Sequence, residues 1–260
     1  MGKPIAGAME RVLSGTNISP APAEENTNYE IPANEKRNYI HVPQFGIVIA
    51  TRETHLGKNM FDTLEALAGE KLKMPSQRQF MRHWLNIREA AEGTRTLLYA
   101  DITPVGNDVA KDLWDYMSSS TNRGKFNGKV CWTWLNSLFE EENGRWFVEE
   151  DLKVLSDAQG NKYLQGTRLS LDPYIEEDCY VGLNFNSQNL PTTKSSVQDY
   201  SQGNNIYFRH PLDGKVAWFD ADSVGALLSC GGDPAVAYSS LGVFPCAEGA
   251  NAKNLGGNKK

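Results

Sequence analysis

The chain has 260 residues and a net charge of −6, and 40% of its residues are hydrophobic, which is the composition of a globular protein. The longest apolar run, residues 45–50, is of strand length and too short for a membrane helix of about 20 residues. The acidic balance argues against a nucleic-acid partner, because such surfaces cluster Lys and Arg. The apolar stretch at 5–9 is short and interrupted by Gly7, so no export signal is expected.

The two ends of the chain differ in composition from its middle. Residues 1–37 interleave Pro with Gly, Ser, Asn and Glu, which predicts a flexible Pro-rich N-terminal arm. Residues 250–260 form a polar, Gly-rich tail. The folded domain is therefore expected at residues 38–249, and no internal repeat interrupts it.

Helix signals concentrate in the first half of this domain. Asn59 and Ser76 are side chains that cap helix starts, and Pro75 just before Ser76 supports the second start. Hydrophobic residues spaced three and four apart predict the helical faces. In chain order we expect a strand at 39–51, helices at 60–69 and from residue 76 onward, a short strand at 96–102 and a helix at 108–117.

From residue 129 onward the pattern changes to short strands separated by turn residues such as Asn143-Gly144 and Asp213-Gly214. Two or three helices followed by mostly short antiparallel strands with long loops is an α+β pattern, because a parallel sheet would alternate strands with helices. The predicted strands are at 129–138, 145–148, 162–171, 179–185, 205–210 and 214–221.

Common catalytic and metal-binding motifs are missing from the sequence, including the dinucleotide, P-loop, nucleophile-elbow and zinc-protease patterns. The four cysteines are too scattered for a closed zinc site and are expected as buried thiols. His83 lies on a predicted apolar helix face and is expected in the core. A paired-carboxylate hydrolase remains an alternative that no motif localises. The cysteines are Cys131, Cys179, Cys230 and Cys246.

Two further groups of residues are assigned structural roles. The acidic triplets at 140–142, 149–151 and 176–178 lack the alternating ligands and glycine turn of a calcium loop, so we expect solvated turns. Trp132 and Trp134 share one face of a predicted strand and are expected to form a core ladder. No metal and no other cofactor is therefore expected.

The segment 220–245 has an unusual composition. Its 26 residues include no Lys, Glu, Gln, Met or Trp, although these five types supply 53 of the 260 residues of the chain. Random placement would give about five of them here. Burial explains missing Lys and Glu but not the Asp, Ser and Gly of the segment. When both adenines of the Asn codon AAC are randomised, the resulting NNC codons exclude exactly these five types.

The sequence around this segment resembles a known family. The runs VAWFDADSVGALLSCGGDP and, six residues later, LGVFPCAEG are similar to the C-terminal variable region of proteins diversified by diversity-generating retroelements. In that family, a reverse transcriptase copies a template repeat with errors at adenines, and the copy replaces the end of the target gene. The resemblance implies a variable region at about 216–249 and a C-type lectin fold of the formylglycine-generating-enzyme type. Residues 72–87 are similar to that fold's Pro-Thr helix start.

The resemblance divides the region into two sets of positions. The frame positions, expected to stay fixed and face inward, are Val216, Ala217, Phe219, Ala221, Ser223, Ala226, Leu228, Cys230, Pro234, Leu241, Gly242, Val243, Cys246, Glu248 and Gly249. The variable positions, expected to bind ligand, are Trp218, Asp220, Asp222, Val224, Gly225, Leu227, Ser229, Gly231, Gly232, Asp233, Ala235, Val236, Ala237, Tyr238, Ser239, Ser240, Phe244 and Pro245. Around Phe219 the two sets alternate, which in a strand sends them to opposite sides.

These expectations indicate a non-enzymatic binding protein whose partner is a protein or cell-surface ligand. We then expect it to be localised at a cell surface or on a virion. Two alternatives stay open: an enzyme of the formylglycine-generating type that uses Cys230 or Cys246, and a structural virion or surface subunit. Calcium is not expected, because the paired sugar-binding motifs of true lectins are missing. The sequence does not indicate an oligomeric state.

Overall fold

A computed structural model describes residues 30–119, 121 and 129–249. Most of the predicted arm at 1–37 and the whole tail at 250–260 lie outside these residues. The described part of the arm is not all exposed: Ile31 is buried against Tyr39 and Val48. The folded domain therefore begins before residue 38.

The described chain is α+β, as the sequence predicts, and contains three α-helices and ten strands. The helices are α1 (Met60–Gly69), α2 (Gln77–Ala91) and α3 (Asn107–Ser118). The strands are β1 (Tyr39–Val42), β2 (Ile47–Ala50), β3 (Cys131–Glu142), β4 (Arg145–Ser156), β5 (Lys162–Ser170), β6 (Cys179–Gly182), β7 (Asn205–Arg209), β8 (Lys215–Asp222), β9 (Gly225–Gly232) and β10 (Cys246–Glu248).

Seven strands form one mixed sheet in the order β5-β4-β3-β8-β9-β7-β6. All neighbours are antiparallel except β7 and β9, which run parallel. The sheet is therefore not purely antiparallel, and β3 and β4, at 12 residues each, are longer than the short strands expected. The predicted strands at 129–138, 145–148, 162–171, 179–185, 205–210 and 214–221 all correspond to members of this sheet, whereas β9 was not predicted.

A second sheet joins the two ends of the described domain in the order β1-β2-β10. The single strand expected at 39–51 is wrong, because the chain turns between β1 and β2, where Gly46 takes a positive φ of 62°. The expected strand at 96–102 is also wrong. That segment makes only isolated bridges, Ile40 with Tyr99 and Leu98 with Pro104.

Helices α1 and α2 begin at the predicted caps, whereas α3 follows Gly106 without a side-chain cap. The Asn59 side chain accepts a hydrogen bond from the backbone N–H of Asp62 at the start of α1. At the start of α2, Ser76 and Gln79 form a reciprocal capping box, each side chain accepting from the backbone N–H of the other. Such caps stabilise a helix by about 1 kcal/mol.

The main core lies between α2, α3 and one face of the seven-stranded sheet. The Phe80 ring of α2 lies 5.2 Å from Phe219 of β8 and 5.5 Å from Phe244, measured between centroids. Trp84 donates its indole N–H to the Met117 carbonyl at 3.0 Å, which ties α2 to α3. A smaller apolar cluster, which includes Leu64 of α1, packs on the opposite face of the sheet.

Two of the acidic triplets expected as solvated turns lie in strands instead. Residues 140–142 form the end of β3, where their side chains are exposed or half-buried. Residues 149–151 lie in β4, where Glu150 is buried and its carboxylate pairs with Arg78 of α2 at 3.0 Å. Burial raises the pKa of Glu150, and the positive charge of Arg78 opposes that shift. Successive side chains of a β-strand point to opposite faces of the sheet. Every second side chain of β4, including that of Glu150, therefore points toward the helices.

Candidate functional site

Strand β8 separates the two predicted sets of positions by burial. Phe219 and Ala221 are buried against the helices, whereas Trp218, Asp220 and Asp222 are half-buried on the opposite side. The alternation follows from the period of two in a β-strand. The sheet face on the side of Asp220 is called the outer face below.

Neighbouring strands extend this outer face. Trp132 of β3 lies opposite Asp220, and Asp220 lies opposite Leu227 of β9. Leu227 in turn adjoins Tyr207 of β7. Residues in register on paired strands point to the same side of a sheet, so these four side chains share the outer face.

An aromatic cluster covers part of the outer face. Tyr238, from the loop after β9, stacks on Trp132 with ring centroids 4.8 Å apart and an interplanar angle of 26°. Trp218 meets Trp132 edge-on at 5.4 Å and Tyr238 at 6.0 Å. The indole N–H groups of Trp132 and Trp218 are buried without a hydrogen-bond partner among the described residues. Trp134, in contrast, is fully buried in the core, as predicted.

The loop at 233–240 brings most of the remaining variable positions to the surface. Asp233 fixes its start, because its carboxylate accepts from the Ala235 backbone N–H at 3.0 Å and pairs with Lys215 at 3.2 Å. These two interactions hold the pKa of Asp233 below its ordinary value. Tyr238 is 41% exposed despite its stacking.

Thirteen of the eighteen variable positions are at least partly exposed. They share one stretch of chain that runs from β8 through the turn before β9 to the loop at 233–240. They are Trp218, Asp220, Asp222, Val224, Leu227, Gly231, Asp233, Ala235, Val236, Ala237, Tyr238, Ser239 and Ser240. Of the fifteen frame positions, twelve are buried, the exceptions being Ser223, Pro234 and Glu248.

Five predicted variable positions are buried, and their assignment to an exposed ligand surface is corrected here. They are Gly225, Ser229, Gly232, Phe244 and Pro245. Gly225 has a φ of +112°, and a Cβ built on it would lie 2.2 Å from the ring of Tyr200. A Cβ at Gly232 would lie 2.9 Å from the Val216 carbonyl oxygen. Phe244 packs on Phe80 in the main core.

The four cysteines are free thiols, as predicted. Cys131, Cys230 and Cys246 are buried, but Cys179 is only half-buried, so the expectation of burial is wrong for it. Burial raises the pKa of Cys230 well above its ordinary value and raises that of Cys246 as well. A reactive cysteine needs a lowered pKa and access to solvent. Neither candidate of the enzyme alternative meets these conditions.

His83 lies in the core, as predicted. It is 1% exposed, its ring lies 6.3 Å from that of Phe80, and burial lowers its pKa to about 3. Its Nδ1 atom has no hydrogen-bond partner among the described residues. His83 is therefore a neutral core side chain.

Sequence reasoning missed a polar pocket at the edge of the outer face. A cavity of about 240 Å³ lies where β7, β9 and the segment after β7 meet. His210 donates its backbone N–H, at 3.0 Å, to the Asp178 carboxylate, and its Nδ1 lies 2.6 Å from the same oxygen. The two residues are 32 positions apart, and Asp178 belongs to a triplet expected to be solvated, so no spacing signal marked them. Tyr207, Arg209, Leu212, Ser229 and Gly231 complete the lining.

Comparison of the chain with protein-family models, with curated proteins and with solved structures gave no match. Within residues 30–119, 121 and 129–249, no three His, Cys, Asp or Glu side chains lie together as a metal site requires. No helix in this described part is long and apolar enough to cross a membrane.

Proposed function

We propose that this chain is a ligand-binding protein whose outer face is diversified by retroelement-driven adenine mutagenesis. The observation that carries the proposal is the separation of the two sets of positions by burial. The frame positions close the core, and most variable positions lie together on one surface. Exposed substitutions typically change stability by no more than about 0.5 kcal/mol, so such a surface can change while the fold stays intact.

We further propose that the domain has a C-type lectin-like fold of the formylglycine-generating-enzyme type. Its α+β composition supports this assignment, with three helices ahead of a predominantly antiparallel sheet. The capped start of α2 at Ser76 also agrees with the family's helix element that residues 72–87 resemble. On this proposal the sheet and helices are the constant scaffold for the outer face.

The composition of the outer face favours a protein ligand. Aromatic anchors, here Trp132, Trp218 and Tyr238, lie beside small polar residues such as Ser239 and Ser240. Binding surfaces of antibodies combine the same two classes, because aromatic rings supply contact area and small polar residues adapt their hydrogen bonds.

The genetic code refines which positions vary. The only tryptophan codon, TGG, does not end in C, so randomised NNC codons cannot encode Trp218. We therefore assign Trp218, with Trp132, to the constant part of the binding surface. Tyr238 is compatible with an NNC codon and stays among the variable residues.

The test is to sequence several kilobases of DNA on both sides of the gene. The proposal predicts a second, near-identical copy of the codons for residues 216–249 that differs only where the copy carries adenine, together with a reverse transcriptase gene. A gene without such a copy would contradict the proposal and leave the structural-subunit alternative as the better explanation of the domain.

A further inference from the structure

The polar pocket lies at the junction of the constant and variable parts of the outer face. Tyr207 and Arg209 come from β7, which precedes the variable region, whereas Ser229 and Gly231 are predicted variable positions on β9. Arg209 is in register with Ser229 across the parallel pair of strands, so the two residues are direct neighbours.

Arg209 is the arginine of this pocket. It is exposed and makes no ion pair or side-chain hydrogen bond with any residue in the described part of the chain. The lining also contains the carboxylate of Asp178, whose Oδ1 accepts a hydrogen bond from the backbone N–H of His210 and lies 2.6 Å from the Nδ1 of the same residue. A guanidinium offers five N–H donors in a planar fork that matches a carboxylate.

The size and walls of the pocket indicate what enters it. Its volume of about 240 Å³ is below the roughly 300–1,000 Å³ of sites for drug-sized molecules, and one amino-acid side chain is a better match. Leu212, which is 46% exposed, supplies an apolar wall for methylene groups. The hydroxyl group of Tyr207 adds a polar group that can donate to an oxygen.

We propose that this pocket binds an acidic side chain of the protein ligand, with Arg209 as a constant anchor and position 231 as the determinant of its shape. The proposal rests on the proposed binding function. A Cβ at Gly231 would lie 3.1 Å from the Leu212 Cδ1 atom, the end of a flexible side chain that can shift. Substitution at 231 therefore narrows the pocket without breaking the sheet.

The experiment uses the full chain and two blocked amino acids, N-acetyl-glutamate N-methylamide and its uncharged counterpart N-acetyl-glutamine N-methylamide. Binding is followed by two-dimensional NMR through shifts of the pocket resonances. We expect the glutamate derivative to bind with a dissociation constant on the order of 1–10 mM, as one charge-assisted contact gives, and the glutamine derivative at least about tenfold more weakly.

Two arginine variants provide the matched comparison. Arg209→Gln should weaken glutamate binding at least about tenfold, whereas Arg145→Gln, which removes an exposed arginine of β4, should leave it unchanged. Gly231→Val should also weaken binding, because it fills the pocket. Each variant is first checked for an unchanged melting temperature.

Three results would overturn the proposal: equal binding of the two derivatives, unchanged binding in Arg209→Gln, or no shift of the pocket resonances with the glutamate derivative. Tighter binding of glucuronate than of the glutamate derivative would replace the acidic side chain with an acidic sugar. These outcomes are independent of the flanking DNA. If the flanking DNA contains a template copy but the titration shows no specific binding, the pocket assignment is rejected and the proposal of a diversified surface stands.

Discussion

Residues 233–240 and 241–249 follow one another in the same variable region, but they have opposite structural roles. The first stretch is a loop in which six of eight residues are exposed, and the second is buried except for Glu248. Strand β10, which belongs to the second stretch, pairs with β2, and Phe244 packs against Phe80 of α2. On the proposed function, one copied region would therefore contain both the binding loop and the segment that closes the core.

The largest expected difference between the two stretches concerns their aromatic residues. Phe244→Ala should lower the free energy of unfolding by about 3–5 kcal/mol, because it leaves a cavity beside Phe80. Tyr238→Ala should cost only about 1 kcal/mol, from its lost stacking on Trp132. Urea unfolding of both variants measures the difference. Equal losses would show that the loop and the closing segment are not distinct.

The next prediction concerns two adjacent positions, the last residue of the turn before β9 and the first residue of β9. Gly225→Ala should destabilise the protein by about 3 kcal/mol, since its Cβ meets the Tyr200 ring at a positive φ. Val224→Ala, at a side chain that is 69% exposed, should change stability by about 0.5 kcal/mol at most. Thermal unfolding of both variants is the measurement. A tolerated Gly225→Ala would return position 225 to the variable set.

The core that Phe244 completes should also show a pH dependence from His83. Its pKa is about 3 in the folded state against 6.5 ordinarily, so between these values the unfolded chain binds a proton that the folded chain does not. Stability should therefore fall by up to about 1.4 kcal/mol per pH unit as the pH drops from 6.5 toward 3. Unfolding curves across this range measure the slope.

His83→Gln is the control for this prediction, because glutamine does not titrate. The difference in slope between the original chain and this variant isolates the contribution of His83 from that of the carboxylates. When the same comparison is made in chains that also carry Phe244→Ala, water entering beside Phe80 should reduce this difference in slope. An identical slope in the original chain and His83→Gln would contradict a buried neutral histidine.

The smallest expected effect belongs to the exposed loop. Replacing Ala235, Ala237, Ser239 and Ser240 together with Thr or Asn, which NNC codons encode, should change the free energy of unfolding by no more than about 1 kcal/mol. Circular dichroism and urea unfolding provide the measurement. A loss comparable to that of Phe244→Ala would show that the loop carries structural contacts that its exposure does not reveal.

Local sequence signals predicted the helices well, because caps such as Asn59 and Ser76 act over three residues. The alternation in β8 was likewise predictable from period-two geometry. Strand β9 was missed, because its glycines and small side chains carry little strand propensity and its position depends on hydrogen bonds to β7 and β8. The burial of Gly225 under Tyr200 is a tertiary contact that no local pattern encodes.

The candidate site was predictable to a similar degree. The composition and the pattern of frame positions located the region at 216–249. The small polar residues of the loop at 233–240 indicated that it is exposed. The pocket was not predictable, since Asp178 and His210 meet only after β6 and β7 pair. Trp132 was assigned to the core but is only half-buried, because the apolar cluster that includes Leu64 of α1 buries Trp134 fully and Trp132 only in part, which a strand pattern does not show.

The most direct test of the central claim is to sequence this gene from many independently grown clones of its source. We expect substitutions at the exposed members of the predicted variable set within residues 220–240, and we expect Trp218, Gly225, Gly232 and Phe244 to remain unchanged. Substitutions spread evenly along the chain, or concentrated at these four positions, would contradict a surface diversified on a fixed scaffold.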